Sequence, residues 1–444
     1  MHMIGVGGAG MSAYARAAHA LGAEVSGSDG ADSDYARRLE ADGVLKAAIG
    51  HRPQNVPDGE DVEVYLSSAV PVENVERVAA RERGLAEHTR AELLGELSAL
   101  RRTIAVAGTH GKTTTASMIA RALLAAGMQP GWLIGAPIGG GLANAEWGEG
   151  EWLVVEADES DRSMLSLTVE IAVLTNVELD HHASFSSLAQ LREVFRSFLN
   201  GAAEAVVWDR PELLALRDGP LVAYDAQDVQ LTEGGSRFRW RGHPVELSVP
   251  GIHNALDATG ALEATRLAGA PPEAAIAALG EFSGAGRRFQ PLGRSARGGR
   301  LFEDYAHHPT EVAATLLAAR TLPHERLLAV FQPHLFSRTK LLAREFGVAL
   351  AEADVIVVLG VYPARERQED FPGVSGLLIA EAAADAARGR PVYWLPGFAE
   401  ARTVLAGLLR EGDVGVVMGA GDVEQLGREL AAGGAPDGGE EAAA

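Results

Sequence analysis

The segment Gly108-Thr-His-Gly-Lys-Thr-Thr114 directly follows the apolar run Thr103-Ile-Ala-Val-Ala107. That order predicts a strand, a glycine turn and then a helix. Gly108 and Gly111 let backbone N–H groups turn inward around phosphate oxygens. Lys112 brings positive charge to the outer phosphates, and the Thr113 hydroxyl is placed to bind Mg²⁺. The common phosphate-loop pattern asks for glycine where this chain has Val106, so the loop is a compact variant. Gly108, Thr109, His110, Gly111, Lys112, Thr113 and Thr114 are the candidate ATP-binding residues.

A second segment bears on the same chemistry. Glu151-Trp-Leu-Val-Val-Glu-Ala-Asp-Glu-Ser-Asp161 is an apolar strand ending in carboxylates. Mg²⁺ takes one or two carboxylates together with phosphates and water. Glu156, at the polar end of the run, is the expected ligand. Asp158, Glu159 and Asp161 read as solvated loop charges. The strand at Ile171-Ala-Val-Leu-Thr175 leads to Asp180-His-His182. His181 reads as a ligand to a second Mg²⁺ and His182 as incidental. Two ions would neutralise the charge that builds up in phosphoryl transfer.

The glycine cluster Gly5-Val-Gly-Gly-Ala-Gly10 also lies between a strand and a helix, with Asp29 at the end of the second strand. By itself this is a dinucleotide fingerprint, and a dehydrogenase would follow. The physics says only that a pyrophosphate can sit on the helix N-terminus, and UDP offers the same pyrophosphate as NAD. A separate ATP loop in a later segment suits an enzyme that binds a nucleotide-linked substrate and ATP at two sites.

These loops need parallel sheets to hold them. Met1-His-Met-Ile4, Glu24-Val-Ser26 and Val62-Glu-Val-Tyr-Leu66 alternate with helical stretches in a βαβ rhythm. A second α/β unit begins near Arg101. A small β insertion around Phe238-Arg-Trp240 and Val245-Glu-Leu247 precedes Gly251. A third unit, from near Gln290, has strands at Leu327–Phe331, Val355–Leu359 and Val414–Met418. The 444 residues suit about three domains. The formal charge of −21 argues against a general binder of nucleic acid or anionic membrane. The chain has no cysteine, which excludes disulfides and fits a reducing compartment. The N-terminus enters a strand at once, leaving no room for a signal peptide, and no apolar run reaches the length of a membrane span. The expectation is a soluble, cytoplasmic protein without membrane insertion.

Taken together, these pieces resemble the Mur ligase family, and within it the L-alanine-adding branch. The resemblance runs from Ile4 to about Asp422. Its markers are Gly5-Val-Gly-Gly-Ala-Gly-Met-Ser12, the Gly108 loop, Glu156-Ala-Asp-Glu-Ser-Asp161 and Thr175-Asn-Val-Glu-Leu-Asp-His181. Further along stand Gly251-Ile-His-Asn-Ala255, Gly286-Arg-Arg-Phe-Gln290, Asp304-Tyr-Ala-His-His-Pro-Thr-Glu311 and Phe331-Gln-Pro-His-Leu-Phe-Ser-Arg-Thr339.

The resemblance implies an α/β fold of three domains. They are an N-terminal Rossmann-like domain (1–98) for the UDP substrate, a central P-loop ATPase-like parallel sheet (99–288) and a C-terminal Rossmann-like domain (289–431) for the amino acid. A disordered tail (432–444) follows. It implies ATP and Mg²⁺ as cofactors, UDP-N-acetylmuramate and L-alanine as substrates, and an acyl-phosphate route to an amide. By the same resemblance Gly7, Gly8, Gly10, Asp29, His51, Ser68 and Ala69 hold the UDP substrate. His253 and Asn254 contact the adenine side. Arg287 or Arg288 reaches the γ-phosphate, Arg287 being the one carried forward as catalytic beside Lys112 and His307. Tyr305, His307, His334 and Arg338 form the amino-acid pocket, and His308 holds a turn. One departure stands out. Relatives often carry arginine where this chain has Leu335, which leaves Arg338 to meet the amino-acid carboxylate alone or with another cation. The carbamylated lysine of some other Mur ligases has no evident counterpart here. Three rivals remain: a murein-peptide recycling ligase on the same scaffold, the dehydrogenase, and a P-loop switch protein.

Overall fold

A computed structural model describes residues 1–180 and 184–433. His181, His182 and the residues from 434 onward lie outside the described residues. The described chain forms two compact units. One comprises residues 1–226 and 256–282, and the other 227–255 and 283 onward.

The first unit holds two sheets. Strands β1 (His2–Ile4), β2 (Ser26–Asp29), β3 (Ala48–Ile49), β4 (Val64–Leu66) and β5 (Glu87–Thr89) form a parallel sheet in the order β3-β2-β1-β4-β5. The chain order reverses between β1 and β4, and a crevice opens at the carboxyl ends of strands at such a point. The loop after β1 and the loop after β4 meet there. Gly5 has φ +83°, and a Cβ on it would stand 2.8 Å from Ser67 Cβ. Strand β2 begins and ends later than the expected Glu24–Ser26. Its buried centre is Gly27 and Ser28, which carry no apolar signal. Gly27 stands there because a Cβ would lie 2.8 Å from the Met3 carbonyl oxygen.

The second sheet contains β6 (Arg102–Ala107), β7 (Gly131–Leu133), β8 (Ala145–Glu146), β9 (Trp152–Glu156), β10 (Ile171–Leu174), β11 (Glu204–Trp208) and β12 (Val222–Tyr224). Their order is β12-β11-β10-β6-β9-β7-β8, parallel except for the edge strand β8. Strand β6 is apolar and buried from Thr103 to Ala107, as a strand covered on both faces must be. It lies between β10 and β9, so the ends of all three meet at one edge. Met3, Tyr65, Leu94, Leu153, Leu174 and Phe195 belong to one continuous core under these two sheets.

The second unit holds the antiparallel ribbon β13 (Gln227–Thr232), β14 (Gly235–Trp240) and β15 (His243–Leu247). It also holds a six-stranded sheet of β16 (Gln290–Arg294), β17 (Arg300–Asp304), β18 (Arg326–Phe331), β19 (Val355–Val358), β20 (Val392–Trp394) and β21 (Asp413–Met418). The order is β16-β17-β21-β18-β19-β20, with only β16 antiparallel. The last helix, Val423–Ala432, buries Val423, Leu426 and Leu430, so Ala432 is helical rather than part of a tail. Among the described residues, no helix is long and apolar enough to cross a membrane.

Candidate functional site

The Gly108 loop runs from the end of β6 into the helix Lys112–Ala125, as its sequence requires. Both glycines are obligatory. Gly108 has φ +139°, and a Cβ there would fall 2.0 Å from Thr175 Oγ1. Gly111 has φ +83° and the Asp257 carboxylate 2.6 Å away. The end of β10 braces the loop from the side. Thr109 Oγ1 donates to the Glu178 carbonyl, the His110 N–H donates to Asn176 Oδ1, and Thr175 Oγ1 donates to the His110 carbonyl.

Lys112, Thr113 and Glu156 come together at this loop. Thr113 Oγ1 donates to Glu156 Oε2 at 3.1 Å, and Glu156 Oε1 accepts the Gly135 N–H at 2.6 Å. A hydroxyl beside a carboxylate at a phosphate loop is the hard-oxygen donor set that Mg²⁺ takes. Thr114 is buried in the first helical turn. Lys112 Nζ donates to the Gly108 carbonyl at 2.5 Å and to Glu159 Oε2 at 2.9 Å.

Glu159 therefore corrects the expectation of a solvated charge. It is fully buried and paired with the loop lysine. Burial works against the Lys112 ammonium, but Glu159, then Asp158 and Glu156, outweigh it and raise its pKa. Asp158 and Asp161 are not free loop charges either. Arg90 Nη2 lies 3.3 Å from Asp158 Oδ2 and Arg90 Nε lies 3.0 Å from Asp161 Oδ2.

The other predicted residues of this unit lie along the carboxyl edge of the first sheet. Asp29 Oδ2 accepts the Gly7 N–H at 2.9 Å and Asp29 Oδ1 accepts the Ala31 N–H. This residue, expected to hold the UDP substrate, thus also fastens its own glycine loop. Gly8 precedes the helix Ala9–Ala20, Gly10 lies in its first turn, and Ser68 and Ala69 are exposed after β4. His51 faces a buried carboxylate that sequence reasoning missed. Glu76 accepts from His2 Nε2, Ser28 Oγ, Asn55 Nδ2 and the Arg52 N–H. Burial raises its pKa, but these hydrogen bonds win and bring it down to about 2. No local pattern signals Glu76, because its partners are scattered from His2 to Asn55.

In the second unit the two arginines and the predicted amino-acid pocket form one continuous chain of contacts. The Arg287 and Arg288 guanidiniums lie 4.8 and 5.0 Å from the Tyr305 ring centre. Tyr305 packs edge-on against His307, and His307 against His334. His334 accepts from Arg338 Nη1 at 3.2 Å and stacks on Tyr362, a neighbour with no sequence signal. Arg338 is buried. His307 Nδ1 donates to the Tyr305 carbonyl, and its backbone N–H is held by Glu311.

His308 caps the helix Pro309–Ala319, accepting the Thr310 N–H, which is the turn-holding role expected of it. Arg287 is occupied within its own unit by the Gly419 and Gly421 carbonyls and by Glu424. Among the described residues the Arg288 guanidinium has no hydrogen bond or ion pair; only its backbone N–H is held, by the Ala285 carbonyl. Asn254 donates to the Pro250 carbonyl, and burial pushes His253 down to about 4. Leu335 is buried with φ +70°, and its N–H is tied to the Tyr362 carbonyl just before the helix Phe336–Leu350.

Three family models match the chain in succession. They are the Mur ligase family catalytic domain over residues 1–102, the Mur ligase middle domain over 106–265 and the Mur ligase glutamate ligase domain over 287–421. A UDP-N-acetylmuramate–L-alanine ligase of Mycobacterium sp. (strain JLS) is 41% identical over 468 residues, which cover 97% of this chain and 94% of that protein. The crystal structure of a UDP-N-acetylmuramate–alanine ligase from Thermotoga maritima aligns with a TM-score of 0.82 at 25% identity, covering 97% of each chain. A murein peptide ligase from Psychrobacter arcticus shares the fold, with a TM-score of 0.71 at 23% identity over 97% of this chain and 98% of that one. The chain belongs to the Mur ligase family.

Proposed function

We propose that the chain is an ATP-dependent ligase that joins L-alanine to UDP-N-acetylmuramate and releases ADP and phosphate. The observation that carries this reading is the convergence of Lys112, Thr113 and Glu156 at a loop whose glycines tolerate no side chain. The relatives supply the identity of the substrates. A carboxylate is a poor acyl donor because oxide would have to leave. Attack of a carboxylate oxygen on the γ-phosphorus, with ADP leaving, makes an acyl phosphate. The alanine amine then attacks the acyl carbon, phosphate departs, and the amine loses a proton.

The roles of the residues follow from their surroundings. The loop amides and Lys112 hold the phosphates, with Glu159 fixing the lysine. Thr113 and Glu156 would hold Mg²⁺, and His181 a second ion. Bound Mg²⁺ supplies charge neutralisation as the phosphoryl group moves. Gly7, Gly8, Gly10, Asp29, His51, Ser68 and Ala69 take the UDP substrate, and His253 and Asn254 the adenine side. We favour Arg288 over Arg287 for the γ-phosphate, because the Arg287 guanidinium is already engaged by two carbonyls and a carboxylate. Tyr305, His307, His334 and Arg338 form the alanine pocket. Domain limits at 1–98, 99–288 and 289–431 and a cytoplasmic location belong to the same reading.

The test is phosphate release from ATP with UDP-N-acetylmuramate present and each amino acid added in turn. Release dependent on L-alanine supports the reading. Release without any amino acid, or only with a peptide, overturns it.

A further inference from the structure

Behind the first glycine loop lies a polar cluster whose protons can be counted. An ionised Glu76 only accepts hydrogen bonds. Its Oε2 takes the Ser28 hydroxyl at 2.5 Å and His2 Nε2 at 3.2 Å. Its Oε1 takes Asn55 Nδ2 at 2.6 Å and the Arg52 N–H at 3.1 Å. Ser28 has one proton, and it is spent on Glu76. The remaining contact of Ser28 Oγ, to His51 Nδ1 at 3.2 Å, then requires Nδ1 to be the donor. Glu76 Oε1 lies 3.4 Å from the same nitrogen and favours a proton there.

The other ring nitrogen, Nε2, faces away from the cluster. It lies beside Gly30, where a Cβ would be 3.8 Å off, just past the carboxyl end of β2. Among the described residues Nε2 has no hydrogen-bond partner. Which nitrogen of a histidine is protonated is set by the bond the other one makes. We propose that Glu76, acting through Ser28, fixes His51 as the tautomer protonated on Nδ1, so that the site offers a ring-nitrogen acceptor to a nucleotide hydroxyl or imide N–H. Glu76 and Ser28 are then positioning residues for recognition of the nucleoside rather than of its phosphates. The proposal rests on reading this edge as the UDP-substrate site.

Two measurements on the full chain test it. The first is a long-range ¹H–¹⁵N spectrum of histidine-labelled protein at pH 8, with the His51 signals identified by their loss in His51→Gln. The expected pattern is a protonated Nδ1 and a bare Nε2. A protonated Nε2, alone or together with Nδ1, overturns the proposal. Ser28→Ala, which buries no new charge but leaves the Glu76 carboxylate 3.4 Å from Nδ1, should raise the share of His51 protonated on Nε2 without completing the shift. Glu76→Gln, if it folds, should do the same.

The second is calorimetric titration with UDP, its 2′-deoxy and 3′-deoxy forms and N3-methyl-UDP. One donor-lacking analogue should bind wild type about tenfold more weakly than UDP and His51→Ala no more weakly than UDP. The analogue that fails identifies the donor as a ribose hydroxyl or the imide N–H. Equal discrimination by both proteins overturns the acceptor role. A wild type that binds no UDP overturns the site reading and the ligand half of the proposal with it, while the spectrum decides the tautomer half on its own.

Discussion

Two glycine loops in the first unit solve one problem in different ways. Each follows a central parallel strand, each opens a helix, and each stands where its sheet's strand order reverses. The Gly108 loop brings its own cation, Lys112, and a carboxylate–hydroxyl pair for a metal. The Gly5 loop has no lysine. An anion, Asp29, fastens it, and a second anion, Glu76, held by His2, Ser28, Asn55 and the Arg52 N–H, backs it. Under the proposed function the first serves a triphosphate whose charge changes during reaction, and the second holds a nucleotide that stays as it is. The glycine pattern alone therefore reports that a phosphate can approach, and the groups behind the glycines report what is done with it.

The sharpest way to break this contrast is Lys112→Ala. Turnover should fall roughly 10³-fold while calorimetric UDP binding is unchanged, because the lost charge acts on the reacting phosphates. Near-normal phosphate release at saturating ATP would remove the distinction between the loops.

Gly7→Val should do the reverse, weakening UDP binding roughly 30-fold with ATP affinity retained. A Cβ at Gly7 meets Ser33 Oγ at 2.7 Å and Asp29 Cγ at 3.0 Å, so the loop must shift. Equal loss of both ligands in separate titrations would mean that the loops are not independent.

A smaller effect is expected at the metal pair. Glu156→Gln should raise the Mg²⁺ concentration for half-maximal rate about tenfold, because an amide replaces a charged ligand. Initial rates across a Mg²⁺ series read this directly, and an unchanged midpoint would assign Glu156 to loop bracing through the Gly135 N–H alone. Smallest of all, and outside both loops, Arg338→Lys should raise the alanine KM about fivefold and leave the ATP KM alone, since lysine lacks the planar fork. An unchanged alanine KM would move the carboxylate site elsewhere in the cluster.

The parts legible in the sequence were those where chemistry and chain order coincide. Gly108 to Thr113 lie in one run, and Glu156 ends an apolar strand, so both could be placed on their elements. The strands that carry the loops were equally readable wherever they were apolar. Depth was not. Glu159 reads as a loop charge because nothing adjacent announces Lys112, and Glu76 is invisible because His2, Ser28 and Asn55 reach it from separate elements. The two-residue strands β3 and β8 are too short for any alternation to show. The choice between Arg287 and Arg288 depends on carbonyls at Gly419 and Gly421, far along the chain.

The first unit is discontinuous, since its chain leaves at residue 226 and returns at 256. Its second stretch carries Asp257, which closes on Gly111. During synthesis from the N-terminus, the nucleotide loop therefore emerges long before its last wall exists. The ribbon from Gln227 to Leu247 must be threaded out before that wall can dock. A nascent chain stalled at 226 would present both glycine loops with an unfinished core. A fragment meant to bind ATP must extend at least to 282, and a cut inside the ribbon that leaves both flanks present is the break this unit is best placed to survive.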